Sequence, residues 1–238
     1  MSSEIVIDKL YKSYGRSPAL KDVTLTIGPG IFGLLGRNGA GKTTLLRILA
    51  TLLPKTAGAV TVCGTDISRA KDIRPMIGYL PQEFSFYPGM NVYEALDYLG
   101  LLSGMGGASR AERIPEVLER VNLQGERNKR IRALSGGMKR RFGMAQAILH
   151  DPAVLIVDEP TTGLDPVERV RFRNMLKDTA GERIVILSTH IVEDVEKLCD
   201  HLAVLDHGAV VFSGSVPDFT AGAGTLEDAY MQIIGEVS

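Results

Sequence analysis

Residues 36–43 read Gly-Arg-Asn-Gly-Ala-Gly-Lys-Thr. They stand between an apolar run, Ile31–Leu35, and a stretch, Lys42–Leu52, whose Leu45, Leu46 and Leu49 share one helical face. No other feature of the chain limits its fold as tightly. Strand, glycine-rich loop and helix in that order build a phosphate cradle. The glycines let successive backbone N–H groups turn inward with no Cβ in the way. The helix that starts near Lys42 adds the positive end of its dipole. Every position of G-x-x-x-x-G-K-[ST] is met. The alternative is a glycine-rich turn that merely joins strand to helix, and the full match in this context weighs against it. In such a cradle Lys42 reaches the β- and γ-phosphates of a nucleotide, and the Thr43 hydroxyl takes one place on Mg²⁺. The expected binding residues are therefore Gly36, Arg37, Asn38, Gly39, Ala40, Gly41, Lys42, Thr43 and Thr44.

The rest of the chain alternates strand and helix patterns. Glu4–Leu10 and Leu20–Ile27 alternate apolar and polar residues, as half-exposed strands do, and Pro29-Gly30 turns the chain into Ile31–Leu35. Short strands are expected near Ala59–Val62 and Ile77–Leu80. After Pro81 the pattern becomes helical. Asn91 caps a helix to about Leu102, Ser109-Arg110-Ala111-Glu112 reads as a capping box opening a second to about Val121, and a third runs from about Ser135 to Leu149. Strands return at Ala153–Val157, Ile184–Leu187, Leu202–Leu205 and Ala209–Phe212, with helices at Val192–Leu198 and Thr225–Ile234. Asp165-Pro166-Val167-Glu168 opens one more helix, with a cap, a proline at the first helical position and a glutamate three residues after the cap. This alternation predicts a parallel α/β sheet. A chain of 238 residues suits one domain. We divide it into a core of residues 1–85 and 151–238 and an inserted helical block at 86–150.

Two further constellations carry chemistry. Val154-Leu155-Ile156-Val157-Asp158-Glu159 ends a buried parallel strand in two acids, where ligands bind in such sheets. Asp158 is placed to hold Mg²⁺, and Glu159 to orient and polarise an attacking water. Many strands end in acids, so this pattern gains its meaning from the phosphate loop upstream. Leu134-Ser135-Gly136-Gly137-Met138 opens a helix with a serine hydroxyl and two glycine N–H groups, a second anion site. Its plain alternative is helix capping by Ser135. The similar Leu102-Ser103-Gly104-Met105-Gly106 ends a helix and reads as a loop.

Composition excludes several classes. Apolar residues make up 45% and charged residues 23%, ordinary values for a folded protein. A net charge of −1 gives no bulk attraction to nucleic acid, so no nucleic-acid partner is expected. Cys63 and Cys199 have neither metal nor redox spacing and read as two reduced thiols, which suits the cytoplasm. Met1–Lys9 lacks the apolar stretch of a signal peptide, and no apolar run approaches the ~18 residues that cross a bilayer.

With these three motifs in order, the chain resembles the nucleotide-binding subunits of ABC transporters over nearly its whole length, Glu4 to Glu236. Further residues match that family's motifs: Tyr14 in Lys-Ser-Tyr-Gly, Gln82 in Tyr-Leu-Pro-Gln, Asp165 in Gly-Leu-Asp and His190 in Ser-Thr-His. Each alone has a bland reading; the ordered set does not. Two departures are mild: Arg37 replaces a common proline, and Met138 a common glutamine. His150, His201 and His207 match no motif.

The resemblance implies a P-loop NTPase (RecA-like) parallel-sheet core with an antiparallel β subdomain and an inserted helical subdomain. It implies a head-to-tail pair of chains, with a second copy or a homologous subunit, enclosing two Mg-ATP. Each site takes Gly36–Thr43, Asp158, Gln82, Glu159 and His190 from one copy and Ser135, Gly136 and Gly137 from the other. Lys42, Gln82, Glu159 and His190 are the expected catalytic groups, and Thr43, Gln82 and Asp158 the expected metal ligands. Tyr14 supplies the aromatic on which adenine stacks, worth ~1–3 kcal/mol. An integral-membrane permease is the implied partner, which places the chain in the cytoplasm on the inner face of the membrane. Phe84, Phe86, Tyr87 and Met90 either line a groove for that permease or pack inside the helical block. Gly33-Leu34-Leu35-Gly36, Thr161–Pro166, the ending Leu226–Tyr230 and the absence of a long extension resemble the ABC-2-type exporters. A soluble ABC ATPase that assembles cofactors or complexes would share the same motifs.

Overall fold

The computed structural model describes residues 4–236. The reading of Met1–Lys9 as no leader therefore falls partly on residues outside those described. Among the described residues the strands are β1 (Ile5–Tyr14), β2 (Ser17–Ile27), β3 (Gly30–Leu35), β4 (Ala57–Val62), β5 (Thr65–Asp66), β6 (Ile77–Leu80), β7 (Val154–Asp158), β8 (Ile184–Thr189), β9 (His201–Asp206) and β10 (Ala209–Ser215). The helices are α1 (Lys42–Leu49), α2 (Ala70–Ile73), α3 (Val92–Leu102), α4 (Gly107–Arg120), α5 (Gly136–Ile148), α6 (Pro166–Ala180), α7 (Val192–Leu198), α8 (Val216–Thr220) and α9 (Leu226–Glu236).

The strands form two sheets, an antiparallel one in the order β2-β1-β4-β5 and a six-stranded one in the order β10-β9-β3-β8-β7-β6. The second is parallel from β9 to β6, with β10 added antiparallel at its edge. Apart from Gly30, every residue of its central strands β3, β7 and β8 is buried, because both faces are covered. Val154 and Ile156 of β7 join Ile184, Ile186, Phe32 and Leu34 on one face; Leu155 and Val157 join Val185, Leu187, Ile31 and Leu35 on the other.

The first face packs with the antiparallel sheet around α1, whose Leu45, Leu46, Ile48 and Leu49 are at most 1% exposed. Each such side chain contributes ~1.5–3 kcal/mol on burial, so the helix that begins at Lys42 is wedged in place. The second face packs against α3 to α7 and α9 through residues such as Leu96, Leu118, Phe142, Leu176 and Tyr230. Phe142 and Leu80 continue that cluster from the sheet into the helices of residues 92–148.

Local signals placed three helix starts. Asn91 and Glu94 form a reciprocal capping box on α3, and the Ser135 and Asp165 side chains accept from Met138 and Glu168 N–H on α5 and α6. The box expected at Ser109 is corrected. α4 starts three residues earlier, behind Gly106 and without a side-chain cap, in the register that lets Arg110 donate to Asp97 Oδ1 at 2.7 Å and to the Met105 carbonyl at 2.6 Å. α1 also stops short of Leu52. Thr51 turns with φ +57, and the Leu52 and Leu53 N–H groups both return to the Arg47 carbonyl.

Phe84, Phe86 and Met90 take the second of their two expected positions. They pack against the helical core, with Phe86 edge-on to Phe142 at 4.5 Å, while Tyr87 is 59% exposed. Both cysteines are free, Cys199 buried and Cys63 half-buried. No helix of the described residues is long and apolar enough to cross a membrane.

Candidate nucleotide site

The loop between β3 and α1 opens at the carboxyl end of the parallel sheet, where crevices form in such folds. Gly41 is the residue before α1. Its φ of +107 suits glycine, and a Cβ there would stand 2.7 Å from the Ala19 carbonyl oxygen. The loop lines a cavity of about 330 Å³ together with Lys42, Thr43, Thr44, Gln82 and Glu159. A larger cleft of about 920 Å³ lies at the other end of α1, and no residue of the phosphate loop lines it. The candidate site is therefore marked by its chemistry, not by its volume.

Lys42 is buried. Its Nζ donates to the Gly36 carbonyl at 2.6 Å and the Arg37 carbonyl at 3.3 Å, and stands 3.2 Å from Glu159 Oε1 at an angle short of a hydrogen bond. Asp158, the last residue of β7, is fully buried, and burial pushes its carboxyl above the usual range. The neighbouring Ser188 and Thr43 hydroxyls act the other way. Neither Asp158 oxygen accepts a hydrogen bond of good geometry. A buried carboxylate without donors carries a large desolvation cost unless a cation sits against it.

Glu159 adopts φ +48, uncommon for a side chain of this size, and its N–H donates to the Ser188 carbonyl at 2.9 Å. Its Oε2 receives the Thr162 hydroxyl at 3.1 Å and lies 2.7 Å from His190 Nδ1. The His190 side chain is 41% exposed, so this acid, 5% exposed, is contacted from the outside by a group that reaches solvent.

Not every expected residue meets at this cavity. Tyr14 is half-exposed at the end of β1, on the hairpin that contributes Ala19 to the lining, and Lys12 Nζ stands 5.3 Å from its ring centre. Gln82 lines the cavity while its carbonyl accepts from Arg140 of α5 at 2.9 Å. Ser135 and Gly136 are exposed and Gly137 half-buried at a helix tip that does not line the cavity, and Asp165 caps α6. A Cβ at Gly137 would stand 2.7 Å from Glu168 Oε2, so that tip is packed against the start of α6. Sequence reading missed Thr162, Ser188 and Arg140. Thr162 stood in a stretch quoted only for its resemblance; Arg140 carried no local signal, because its partner lies 58 residues away.

Residues 20–162 match the family described as ABC transporter. The Nod factor export ATP-binding protein I of Cupriavidus metallidurans is 41% identical over 218 residues, 90% of this chain and 72% of that protein. The linearmycin resistance ATP-binding protein LnrL of Bacillus subtilis is 35% identical over 220 residues, 91% of this chain and 71% of that one. Among solved structures, an ATP-binding subunit of an ABC transporter superposes with a TM-score of 0.87 at 25% identity, covering 97% of this chain and 99% of that one. The dimeric post-hydrolysis cassette MJ0796 bound to ADP and Pi superposes with a TM-score of 0.80 at 25% identity, covering 89% and 98%. The P-loop fold, the phosphate loop and these likenesses agree: the chain belongs to the ABC transporter family, as one of its ATP-binding, ATP-hydrolysing domains.

Proposed function

We propose that two copies of this chain, or one copy and a homologous subunit, pair head to tail around two ATP molecules and couple hydrolysis to export through a separate membrane permease. The observation that carries the pairing is that one chain presents two helix starts suited to phosphate, at Lys42 and at Ser135, and only the first opens on the cavity. A second copy supplies the other. In this reading residues 36–44 cradle the phosphates, and Tyr14 stacks the base. Ser135, Gly136 and Gly137 of the partner subunit close over the γ-phosphate, with Asp165 at the same junction.

Glu159 takes a proton from the attacking water as the bond from the γ-phosphorus to ADP breaks, leaving ADP and inorganic phosphate. His190 steadies Glu159 and faces the γ-phosphate, and Lys42 supplies positive charge to it. Mg²⁺ fits Thr43, Asp158 and Gln82, since both Asp158 oxygens are buried beside the Thr43 hydroxyl and accept no hydrogen bond of good geometry. When bound, that ion neutralises phosphate charge. Lys42→Ala is expected to lower turnover roughly 10²–10³-fold, the scale of one preorganised charge, as read by phosphate release.

The relatives named for Nod factor export and linearmycin resistance support the export direction. The larger cleft supports a permease. It lies between the end of α1, the region of α2 and the helical block of residues 86–150, with exposed Leu52 and Leu102 beside Arg47, Lys71 and Arg74. Such a lining suits a cytoplasmic helix of the permease with apolar and acidic side chains. Pull-down from detergent-solubilised membranes is expected to bring down a multi-span protein, and Arg74→Glu to weaken that capture several-fold. Capture of soluble proteins alone would instead favour an assembly ATPase.

A further inference from the structure

The Thr161 hydroxyl donates to Asp194 Oδ2 at 2.5 Å. Arg173 Nη1 of α6 donates to Asp194 Oδ1 at 3.1 Å and reaches Glu193 Oε1 at 3.2 Å. Thr161 and Asp194 are at most 1% exposed, and Arg173 is 8% exposed. None of the three lines the nucleotide cavity. An ion pair so deeply buried gives little net stability over apolar packing of the same shape, so fold stability alone does not explain it.

Position supplies the explanation. Thr161 lies two residues beyond Glu159, and Asp194 four residues beyond His190. The chain from Glu159 to Thr161, the bond to Asp194, the chain back to His190 and the His190–Glu159 contact at 2.7 Å form a closed ring. Thr162, the next residue, touches Glu159 directly. Glu159 itself holds φ +48, a conformation that persists only where its surroundings over-determine it. Arg173 anchors the far side of the ring to α6, whose first turn is the one packed under Gly137.

We propose that Thr161, Asp194 and Arg173 are positioning residues that brace the segments carrying Glu159 and His190, so that acid and histidine stay in register for attack on the γ-phosphate. The brace acts through the Glu159 and His190 roles proposed above. It holds the geometry of the chemical step and leaves the phosphate cradle alone.

The test is steady-state ATP hydrolysis by Thr161→Val, which removes the hydroxyl at nearly constant shape, with Thr161→Ser as the restoring variant. Thr161→Val is expected to lower kcat roughly ten- to a hundredfold, the scale of a small misplacement of reacting groups. KM for ATP should stay within about twofold and Thr161→Ser should keep kcat within about threefold. In a His190→Ala background, read by single turnover, Thr161→Val should add little, because the two act as one unit. Thr161→Ala is the second deletion, for the case that the valine methyl overpacks. A wild-type kcat in either deletion overturns the brace, as does a loss shared equally by Thr161→Ser or one that multiplies unchanged onto His190→Ala. Glu159→Gln separates the two levels: if it still hydrolyses ATP the base assignment fails, and if it is inert while Thr161→Val is normal only the brace fails.

Discussion

Glu159→Gln should bind ATP at least as well as the parent chain and hydrolyse it roughly 10²–10⁴-fold more slowly, the usual worth of a general base. The argument starts from what the carboxylate touches. Glutamine keeps the volume and an oxygen that can accept from Thr162 and His190, so the φ +48 backbone and its bond to the Ser188 carbonyl have no reason to move. What goes is the negative charge and the ability to take a proton from water. Lys42, 3.2 Å away, also loses an anionic neighbour that competes with phosphate for it. Both changes favour the ATP-loaded state. With nucleotide bridging two surfaces, the variant should elute as a dimer in ATP and as a monomer without it, because a ligand that binds only the paired state shifts the population toward it. Size-exclusion chromatography with and without ATP, alongside phosphate release, reads both effects. Turnover near the parent rate would remove Glu159 from the role of base.

The division between what was legible in the sequence and what was not follows the distance over which each feature is determined. The phosphate loop was legible because strand, glycines, Lys42 and Thr43 are contiguous, and the structure folds them as that order requires. The caps at Asn91, Ser135 and Asp165 were legible for the same reason, since each acts within three residues. The start of α4 was misread where a local signal competed with a tertiary one. Ser109 offered a cap, but Arg110 has partners on α3 and in the preceding loop. The inward turn of Phe84 was not legible, because it depends on Gly143, where a Cβ would stand 2.7 Å from the ring. Nor were the contacts that organise the acids: Thr161 with Asp194 spans 33 residues, and Glu159 with His190 spans 31. The ordered motifs named Glu159 and His190 without saying that they touch. Periodicity reports which face is buried; it does not report which polar groups meet across strands.

The shared site makes a sharper demand, because it separates two functions that one chain carries. Ser135→Arg should abolish hydrolysis while leaving ATP binding by the monomer unchanged. The Ser135 side chain caps Met138 N–H, and Ser135 is exposed at a tip away from the phosphate cavity of its own chain. Losing the cap costs about 1 kcal/mol of local stability, too little to unfold a domain of this size. A guanidinium at that tip instead obstructs the surface offered to the second copy. Lys42→Ala has the complementary defect: an intact tip and a damaged cradle. Mixing the two inert variants therefore decides the arrangement. In a mixed pair, the cradle of the Ser135→Arg chain faces the undamaged tip of the Lys42→Ala chain, which rebuilds one parental site. With random pairing about a quarter of the parental activity should return, half of the pairs each having one of two sites intact. If each chain used its own Ser135, no mixture could rebuild a site and activity would stay at zero. Loss of monomer nucleotide binding in Ser135→Arg alone would count against the shared site in the same way.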